Sequence, residues 1–343
     1  MTPRVRVAVL SGGRSSEHDI SVASARSVIA ALDPERYETT AIAIGRDGRW
    51  ELPSVGERQS LPPREGGTAI DTLPVVAPSS PAVELGRVDV VLPILHGPFG
   101  EDGTVQGLLE LADLPYVGAG VAASALCMDK DLFKAVLRDR RIPVARSVTL
   151  RDGDEPRHAF PYPVFVKPAR LGSSVGISKV HVEDELEPAV ALARKHDDKV
   201  LIEELLDGIE VECGVLGNRE PIASQVGEIV ANAEWYDYSA KYDEGGMELV
   251  VPARISPEVT ERVREIAVES FVATECEGMA RIDLFVRPND DVVVNEINTI
   301  PGFTATSVYA KLFAASGIPY GELLDRLIEL ALERHERRSR LVF

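Results

Sequence analysis

Cysteine is scarce in this sequence, and its placement excludes two classes of stabilised domain. The 343 residues include three cysteines, Cys127, Cys213 and Cys276, which are widely spaced and form no paired motif. Disulfide frameworks and structural zinc sites need cysteines in even numbers or at short, fixed spacings. The pattern fits a reducing compartment, and we expect a cytoplasmic protein.

A long apolar run is also missing. A membrane-spanning helix needs about 20 consecutive apolar residues, and no segment approaches that length. The apolar stretch from Arg4 to Leu10 is too short for a signal peptide, and it ends at no plausible cleavage site. We therefore expect no membrane partner.

Positive charge is in deficit. Lys and Arg number 37 against 55 Asp and Glu, which gives a formal charge of −18. Such a chain is a poor partner for nucleic acid or for an anionic membrane. A small anionic substrate is not excluded, because a few local cations can bind it. The apolar fraction of 45% is ample for packed cores, and the length predicts two or three domains.

The N-terminal part alternates between strand and helix patterns. Predicted strands cover Val5–Leu10, Thr39–Ile44 and Val88–Leu95, and a helix with apolar periodicity covers Ile20–Leu32. Helical patterns follow at 104–114 and 121–140. Residues 51–86 hold six prolines and predict a surface excursion. This order predicts a doubly wound α/β domain.

Beyond about residue 145 the pattern predicts an α+β half with largely antiparallel strands. The predicted strands are Val164–Lys167, Gly176–Val180, Val200–Glu204, Val211–Leu216, Arg281–Val286 and Val292–Ile297. The predicted helices are Asp184–Lys195, Pro257–Glu277 and Tyr320–Arg338.

A small, flexible loop follows a lysine at the end of one predicted strand. Lys167 ends the strand, and Gly172, Ser173, Ser174 and Gly176 follow. Such a loop lets backbone N–H groups approach phosphate oxygens closely, and the lysine adds a point charge. A hairpin turn with exposed serines explains this loop equally well when it is considered alone.

Four polar residues fall on two neighbouring strands. Alternation places Arg281 and Asp283 on one face, and Glu296 and Asn298 on one face of the next strand. If the strands pair, two carboxylates and an amide converge beside an arginine, a donor set that suits Mg²⁺. The alternative is a cross-strand ion pair, but facing carboxylates repel each other unless a cation joins them.

Three further segments are candidates for ligand contact. Residues 201–210 read as a hinge that could hold an adenine edge and ribose hydroxyls, although solvated strand ends explain them equally well. Glu17 and His96 each follow a predicted strand of the α/β domain, where ligands bind in open sheets. Residues 235–246 are rich in aromatic residues and lack periodicity, so they predict either a lid over the substrate or an exposed loop.

Together these segments resemble the ATP-grasp superfamily and, within it, the D-alanine–D-alanine ligase family. The resemblance covers nearly the whole chain. It rests on seven runs in their expected order: SGGRSSEHDIS, LHGPFGEDGTVQG, GVAASALCMDK, VKPARLGSSVG, EWYDYSAKY, RIDLF and NEINTIPGFTATS. The resemblance implies an α/β N-terminal domain at 1–120 that binds the first D-alanine, a central ATP-grasp lobe at 121–207 and a C-terminal lobe at 208–343.

For the nucleotide, the resemblance implies contacts to phosphates and to the base. Phosphate contacts would come from Lys130, Lys167, Lys241 and the loop residues Ser173 and Ser174. Adenine and ribose contacts would come from Glu203, the backbone near Leu206, and Glu210. Two Mg²⁺ ions, for which Mn²⁺ can substitute, would be held by Asp283, Glu296 and Asn298.

For the amino-acid substrates, Glu17 would fix the first ammonium and His96 would lie beside it. Arg281 and the backbone N–H of Gly302 would stabilise the oxyanion of the tetrahedral intermediate, and Ser307 would help to hold the second carboxylate. Ser173, Tyr242 and Glu17 would form a hydrogen-bonded relay. The resemblance further implies D-alanine and ATP as substrates and a homodimer formed through the N-terminal domain.

Three functions stay open on the sequence alone. The first is ligation of two D-alanines through an acyl phosphate. The second is a related ATP-grasp ligase that uses D-serine or another acceptor, since a lid with Lys241 and Tyr242 also occurs in ligases that use D-serine. The third is a nucleotide-binding module that has lost the chemistry, which the complete set of polar site residues disfavours.

Overall fold

The computed structural model describes residues 3–51, 88–231 and 247–342, whose strands form three sheets. The strands are β1 Val5–Gly12, β2 Tyr37–Ile44, β3 Trp50–Glu51, β4 Val90–Pro93, β5 Ser147–Leu150, β6 Val164–Pro168, β7 Ser178–Val180, β8 Val200–Glu204, β9 Ile209–Gly217, β10 Ile222–Ala231, β11 Met247–Val250, β12 Gly278–Val286 and β13 Val292–Asn298. The helices are α1 His18–Ala31, α2 Thr104–Leu111, α3 Val121–Met128, α4 Lys130–Asp139, α5 Leu186–Ala193, α6 Pro257–Ala273, α7 Val308–Ala315 and α8 Tyr320–Ser339.

The N-terminal sheet has the order β3-β2-β1-β4, and β1 runs parallel to both β2 and β4. Alternate residues of β1 are buried on opposite faces of this sheet. Val7 and Val9 pack with α1 and α8, whereas Ala8 and Leu10 pack with α2. Both faces are covered, which confirms the predicted α/β layering and explains the continuous apolar run of this strand.

Helix α8 lies near the end of the chain but packs against the first sheet. Leu323, Leu324 and Leu327 share a core cluster with Val7 and Val9. The buried Arg334 donates hydrogen bonds to the carbonyl oxygens of Gly118 and Tyr116. The last helix therefore ties the N-terminal sheet to the rest of the molecule.

The other two sheets are antiparallel, as predicted for the second half. One has the order β5-β8-β6-β7, and the other has the order β11-β10-β9-β12-β13. Strand β12 pairs with both β9 and β13. Residues of these three strands therefore lie side by side at one end of the largest sheet, where β13 is the edge strand.

Two helices differ from their predicted bounds for local reasons. The pattern at 121–140 splits into α3 and α4 at Asp129, whose backbone is extended and whose side chain accepts from the N–H groups of Asp131 and Leu132. The predicted helix 257–277 ends at Ala273, because Glu275 has a left-handed φ of 56° and Cys276 N–H bonds back to Phe271. Asp129 is an N-cap of the usual kind.

The sequence analysis missed the strands β3, β5, β10 and β11 and the helix α7. Strand β10 carries a bulge between Ala223 and Val226, which breaks the two-residue alternation that marks a strand. Helix α7 is short, with eight residues, and is buried through Tyr309, Leu312 and Phe313. It is apolar apart from Lys311, and eight residues are too few to show a clear helical stripe.

The domain bounds 1–120, 121–207 and 208–343 remain a prediction. They follow the order of the three sheets along the chain, although α8 crosses back to the first sheet. Within the described ranges, no helix has the length and apolar character needed to cross a membrane. The proline-rich stretch and the predicted lid fall largely outside the described residues.

Candidate active site

A cavity of about 560 Å³ opens between the two antiparallel sheets. Its walls come from β6 and β8 on one side and from β10 and β13 on the other. The loop at 171–176, called the Gly/Ser loop below, lies along the edge of the cavity. The cavity brings together every predicted nucleotide residue that the structure describes: Lys130, Lys167, Ser173, Ser174, Glu203, Leu206 and Glu210. Lys241 lies outside the described residues.

The connection from β8 to β9 forms the back of this cavity. Leu206 is buried there, and Glu210 lies on β9 opposite Phe285 of β12. Between them, Gly208 has a φ of 148°, and a Cβ at that position would lie 2.2 Å from the Val286 carbonyl oxygen. Only glycine fits this turn, so the connection packs closely against β12 while Gly208 lines the cavity.

Glu203 is held between two buried lysines. Lys167 Nζ lies 2.5 Å from its Oε1, and Lys134 Nζ lies 2.6 Å from its Oε2. Burial alone would raise the pKa of Glu203, but the two ammonium groups outweigh burial and lower that pKa. Glu203 is thus an ionised acceptor that presents a carboxylate edge to the cavity.

Lys130 links the Gly/Ser loop to strand β13 of the five-stranded sheet. It stands in the first turn of α4, with Nζ 2.6 Å from Glu296 Oε1 and 2.8 Å from the Leu171 carbonyl oxygen. Its backbone N–H donates to the Ala169 carbonyl oxygen. The N-terminus of α4 therefore faces the loop that was predicted to cradle phosphates, and the partial positive charge of a helix N-terminus favours an anion there.

Two serines of this loop have strained backbones. Ser173 has a φ of 54° and Ser174 a φ of 58°, a left-handed conformation that residues with a Cβ rarely adopt. Such strain persists only where the surroundings impose it, and it clusters at ligand sites. The loop connects the antiparallel strands β6 and β7, and its two left-handed residues give it a defined shape at the edge of the cavity.

The predicted pairing of the two polar strands is confirmed. Arg281 lies opposite Asn298, and Asp283 lies opposite Glu296. Asn298 Nδ2 donates to Asp283 Oδ2 over 2.9 Å, and Arg281 binds both oxygens of Asp283 over 2.7 and 2.8 Å. Arg281 Nε also lies 2.9 Å from Glu212 Oε2 on the neighbouring β9.

The guanidinium of Arg281 is fixed by this surrounding. Burial opposes its charge, but Asp283 and Glu212 outweigh burial and raise the pKa of Arg281. An arginine clamped by two carboxylates keeps one orientation. It can therefore aim its remaining N–H donors at a developing oxyanion without rearranging.

The oxygen donors on this sheet face fit Mg²⁺. Asp283 and Glu296 provide two facing carboxylates, and Asn298 provides an amide. Within the described ranges, no group of three His, Cys, Asp or Glu side chains forms a protein cage for a metal. Mg²⁺ shared with nucleotide phosphates needs no such cage, because one or two carboxylates complete its shell together with phosphates and water.

A second cleft follows the strands of the N-terminal sheet. Glu17 comes just before α1, and its Oε2 lies 3.0 Å and 3.8 Å from ideal Cβ positions built on Gly97 and Gly172. Glu17 therefore stands between the His96 segment and the Gly/Ser loop. A side chain at Gly97 would press directly on this carboxylate.

His96 is neutral and presents an acceptor. Its Nδ1 lies 2.9 Å from the Ile300 carbonyl oxygen, which can only accept, so Nδ1 carries the proton. Burial lowers the pKa of His96 further than the nearby Glu17 raises it. Nε2 is buried, with no hydrogen-bond partner among the described residues, so its lone pair can receive a donor from a substrate.

Glu101 belongs to the same cleft and was not predicted as a site residue. Its Oε1 accepts from the Gly97 N–H over 3.0 Å. Burial of the carboxyl group, with Glu17 and Glu296 nearby, raises the pKa of Glu101 to about 8. Glu101 can therefore hold a proton at neutral pH beside the predicted ammonium site.

Gly302 and Ser307 lie together on the loop after β13, which His96 contacts through the Ile300 carbonyl oxygen. An ideal Cβ on Gly302 would lie 3.4 Å from Ser307 Oγ, and Ser307 Oγ accepts from the Thr304 N–H over 3.0 Å. The loop is anchored to α1, because Ala305 N–H donates to Ser27 Oγ. The structure thus places the predicted oxyanion and acceptor residues on one braced loop.

The predicted nucleotide residues that the structure describes line the cavity together with Glu296, and His96 contacts the loop after β13 through the Ile300 carbonyl oxygen. Tyr242, like Lys241, falls in the part that is not described, so the relay with Ser173 and Glu17 stays a prediction. The residue roles also stay predictions. The sequence analysis did not predict Lys134, Glu212 or Glu101 as site residues. Two of them had a signal in the sequence, because Lys134 follows Lys130 by one helical turn and Glu212 follows Glu210 on one strand face.

Comparison with known proteins gives the same result over the whole chain. The family model described as D-ala D-ala ligase N-terminus matches residues 6–119, and the model described as D-ala D-ala ligase C-terminus matches residues 137–329. The chain belongs to the D-alanine–D-alanine ligase family. The first matched segment contains Glu17 and His96, and the second contains the residues that line the cavity, apart from Lys130.

Relatives of this family are similar along their full length. A D-alanine–D-alanine ligase of Solibacter usitatus is 48% identical, with 98% of each chain covered. A D-alanine–D-alanine ligase A of Escherichia coli strain K12 is 43% identical, with 97% of each chain covered.

Solved structures show the same fold. The D-alanine–D-alanine ligase of Coxiella burnetii superposes with a TM-score of 0.83 at 38% identity, covering 98% of this chain and 96% of that one. The VanG D-Ala:D-Ser ligase of Enterococcus faecalis has a TM-score of 0.80 at 34% identity, covering 96% and 100%. The Bacillus anthracis ligase complexed with ATP has a TM-score of 0.77 at 28% identity, covering 97% and 99%. The ATP-grasp fold predicted from the sequence is confirmed.

Proposed function

We propose that this protein joins two D-alanines to D-alanyl-D-alanine, with ATP cleaved to ADP and phosphate. The observation that carries the proposal is the array of Arg281, Asp283 and Glu296 on two neighbouring strands, of which Glu296 lines the nucleotide cavity. The family match and the two ligase relatives support the substrate. A carboxylate is a poor electrophile, so the first D-alanine must become a D-alanyl phosphate before an amine can attack it.

Each step has a group in place. Glu203 and the hinge hold the adenine edge, Glu210 holds the ribose, and Lys130 and Lys167 bind phosphate oxygens. Glu17 binds the ammonium of the first D-alanine. Bound Mg²⁺ would screen the phosphate charge during transfer, and we propose Asp283, Glu296 and Asn298 as its ligands.

The second half of the reaction needs an oxyanion site and exclusion of water. Arg281 and the Gly302 N–H would donate to the tetrahedral oxygen, while Ser307 would hold the carboxylate of the second D-alanine. The acyl phosphate must meet the amine before water reaches it. We propose that Lys241 and Tyr242 belong to a lid that closes for this purpose, and that Tyr242→Phe loosens selection of D-alanine over D-lactate.

A second candidate differs only in the acceptor. The similarity to a D-Ala:D-Ser ligase, at 34% identity over nearly the full chain, favours D-serine as the alternative. The higher identity to two D-alanine–D-alanine ligases favours D-alanine. We also propose a cytoplasmic homodimer, and light scattering of the purified protein tests the assembly.

The decisive test is ADP release with ATP and Mg²⁺, with D-alanine added or withheld and the products identified by mass. D-Alanine-dependent ADP together with D-alanyl-D-alanine would establish the reaction. Nucleotide binding without any response to D-alanine would refute the substrate and lead to a panel of amino and hydroxy acids. A product that contains D-serine, formed in preference when both acceptors are offered, would establish the second candidate.

A further inference from the structure

Lys134 is a buried lysine behind the wall of the nucleotide cavity. Its side chain has no exposed surface, it does not line the cavity, and its Nζ lies 2.6 Å from Glu203 Oε2. A buried ammonium persists only with a charge partner, because desolvation strongly disfavours it otherwise. Lys134 therefore acts on a ligand only through Glu203.

Two lysines share this one carboxylate, and they differ in their access to the cavity. Lys167 lines the cavity, whereas Lys134 stays enclosed behind it. Lys134, Lys167 and Glu203 together carry a net charge of +1, which suits an anionic ligand. Burial lowers the pKa of Lys134 to about 8 even though Glu203 opposes this effect. The extra positive charge is therefore unfavourable in the free protein, and a bound anion would stabilise it.

Helix α4 explains why the lysines reach different depths. Lys130 and Lys134 are four residues apart and so lie on the same face of the helix. Lys130 lies nearer the helix start and lines the cavity beside Glu296. Lys134 lies one turn further along, where the same face is covered by β6 and β8.

This inference rests on the proposed function, namely that the cavity takes ATP. We propose that Lys134 is a positioning residue, which keeps Glu203 ionised and in place when the phosphates of ATP draw Lys167 away. Glu203 then goes on accepting a hydrogen bond from the 6-amino group of adenine. Lys134 is therefore a determinant of selectivity for purines that carry this amino group.

Removing Lys134 should make two anions compete for one lysine. With nucleotide bound, Lys167 would be shared between Glu203 and a phosphate, and Glu203 would take up a proton because its buried charge is no longer balanced. A protonated carboxyl group carries an O–H donor and has less acceptor capacity than a carboxylate, so it matches an amino group less well. Nucleotide binding would then consume protons and weaken as the pH rises.

The test compares Lys134→Met with Lys134→Arg in the full-length protein. Binding of a non-hydrolysable ATP analogue is measured by calorimetry in two buffers of different ionisation enthalpy, from pH 6.5 to 8.5. Selectivity is the ratio of kcat/KM for ATP to that for purine riboside triphosphate, which lacks the 6-amino group.

For Lys134→Met we expect affinity to fall by about tenfold or more, which is about 1.4 kcal/mol. We also expect proton uptake on binding, a larger rise in KM than fall in kcat, and loss of the preference for ATP. Lys134→Arg keeps the charge and should restore part of the affinity and most of the selectivity.

Lys199→Met is the matched control. Lys199 is also buried, and it pairs with Asp129 over 2.6 Å at the start of the same helix, outside the residues that line the cavity. Its loss removes a comparable buried ion pair, but it should change neither the proton uptake nor the purine selectivity. Equal selectivity changes in Lys199→Met and Lys134→Met would overturn the positioning role.

A double variant keeps the proposal testable if Lys134→Met fails to fold. Glu203→Gln combined with Lys134→Met removes both members of the buried pair, a replacement that proteins tolerate better than a lone buried charge. If Lys134 acts through Glu203, selectivity in the double variant equals that of Glu203→Gln alone. A further tenfold loss from Lys134→Met in that background would contradict the proposal. Failure of the unaltered protein to bind the analogue would instead refute the proposed function.

Discussion

Asp283 and Glu296 face each other on the adjacent strands β12 and β13, and each carboxylate already has a cationic neighbour. Arg281 binds Asp283, and Lys130 binds Glu296. Two like charges opposed on a sheet would repel without these partners. The two carboxylates are therefore held close together by cations of the protein itself, and Glu296 lines the nucleotide cavity.

Arg281→Ala should lower kcat by about 10²–10³, because a lost oxyanion donor removes about 2.7–4 kcal/mol of transition-state stabilisation. The measurement is steady-state ADP release together with the affinity for a non-hydrolysable ATP analogue. We expect that affinity to change little, because Arg281 is not among the cavity-lining residues. Arg281→Lys is the matched control, since it keeps a charge between Asp283 and Glu212 and separates oxyanion loss from unfolding. Turnover of the alanine variant at the unaltered rate would contradict the oxyanion role.

Asn298→Ala should raise the Mg²⁺ concentration for half-maximal activity by roughly tenfold or more, since loss of groups at a metal site commonly has effects of 10–100-fold. Asn298 also donates to Asp283, so its loss frees that carboxylate to turn. The measurement is an Mg²⁺ titration at saturating ATP. Asn289→Ala, in the exposed turn between β12 and β13, should leave the Mg²⁺ requirement unaltered. Identical titrations for both variants would argue against Asn298 as a ligand.

Glu101→Gln should stabilise the protein at alkaline pH more than at acidic pH. The folded-state pKa of Glu101 is raised from its usual 4.5 to about 8 by burial and by nearby carboxylates. In the folded protein the protonated form of Glu101 is favoured over the ionised form. Protonated Glu101 therefore contributes its full stabilisation below about pH 4.5, and this contribution is lost as the pH rises to about 8. Melting temperatures from pH 5 to 8.5, without ligands, test this. The exposed substitution Glu187→Gln should show no such trend, and parallel curves for both variants would refute the assignment.

Arg334→Met should lower the free energy of unfolding by at least about 2 kcal/mol, because it leaves two carbonyl acceptors without their donor. It also removes a guanidinium that lies 4.3 Å from the Tyr116 ring centroid. Urea unfolding is the measurement. On the same helix, Arg337→Met removes a partly exposed pair with Glu277 and should have an effect of about 1 kcal/mol or less. A smaller loss for Arg334→Met than for Arg337→Met would contradict the bridging role of Arg334.

The sequence by itself determined the α/β order and the antiparallel second half, and it supplied most of the candidate site residues. Strand alternation was enough to place Arg281 with Asp283 and Glu296 with Asn298, because side chains two residues apart share a face of a strand. Glycine and serine after Lys167 marked the loop, because only such residues allow a close backbone approach. These are local properties that depend on neighbours along the chain.

The tertiary structure alone decided which charges meet across distant segments. Lys134 and Glu203 are far apart in sequence, and nothing local shows that a helix and a strand will bury them together. The packing of α8 on the N-terminal sheet and the enclosure of Glu101 likewise depend on long-range contacts. Burial and charge pairing are properties of the assembled core, because a pKa or an ion pair is set by whatever surrounds the group in space.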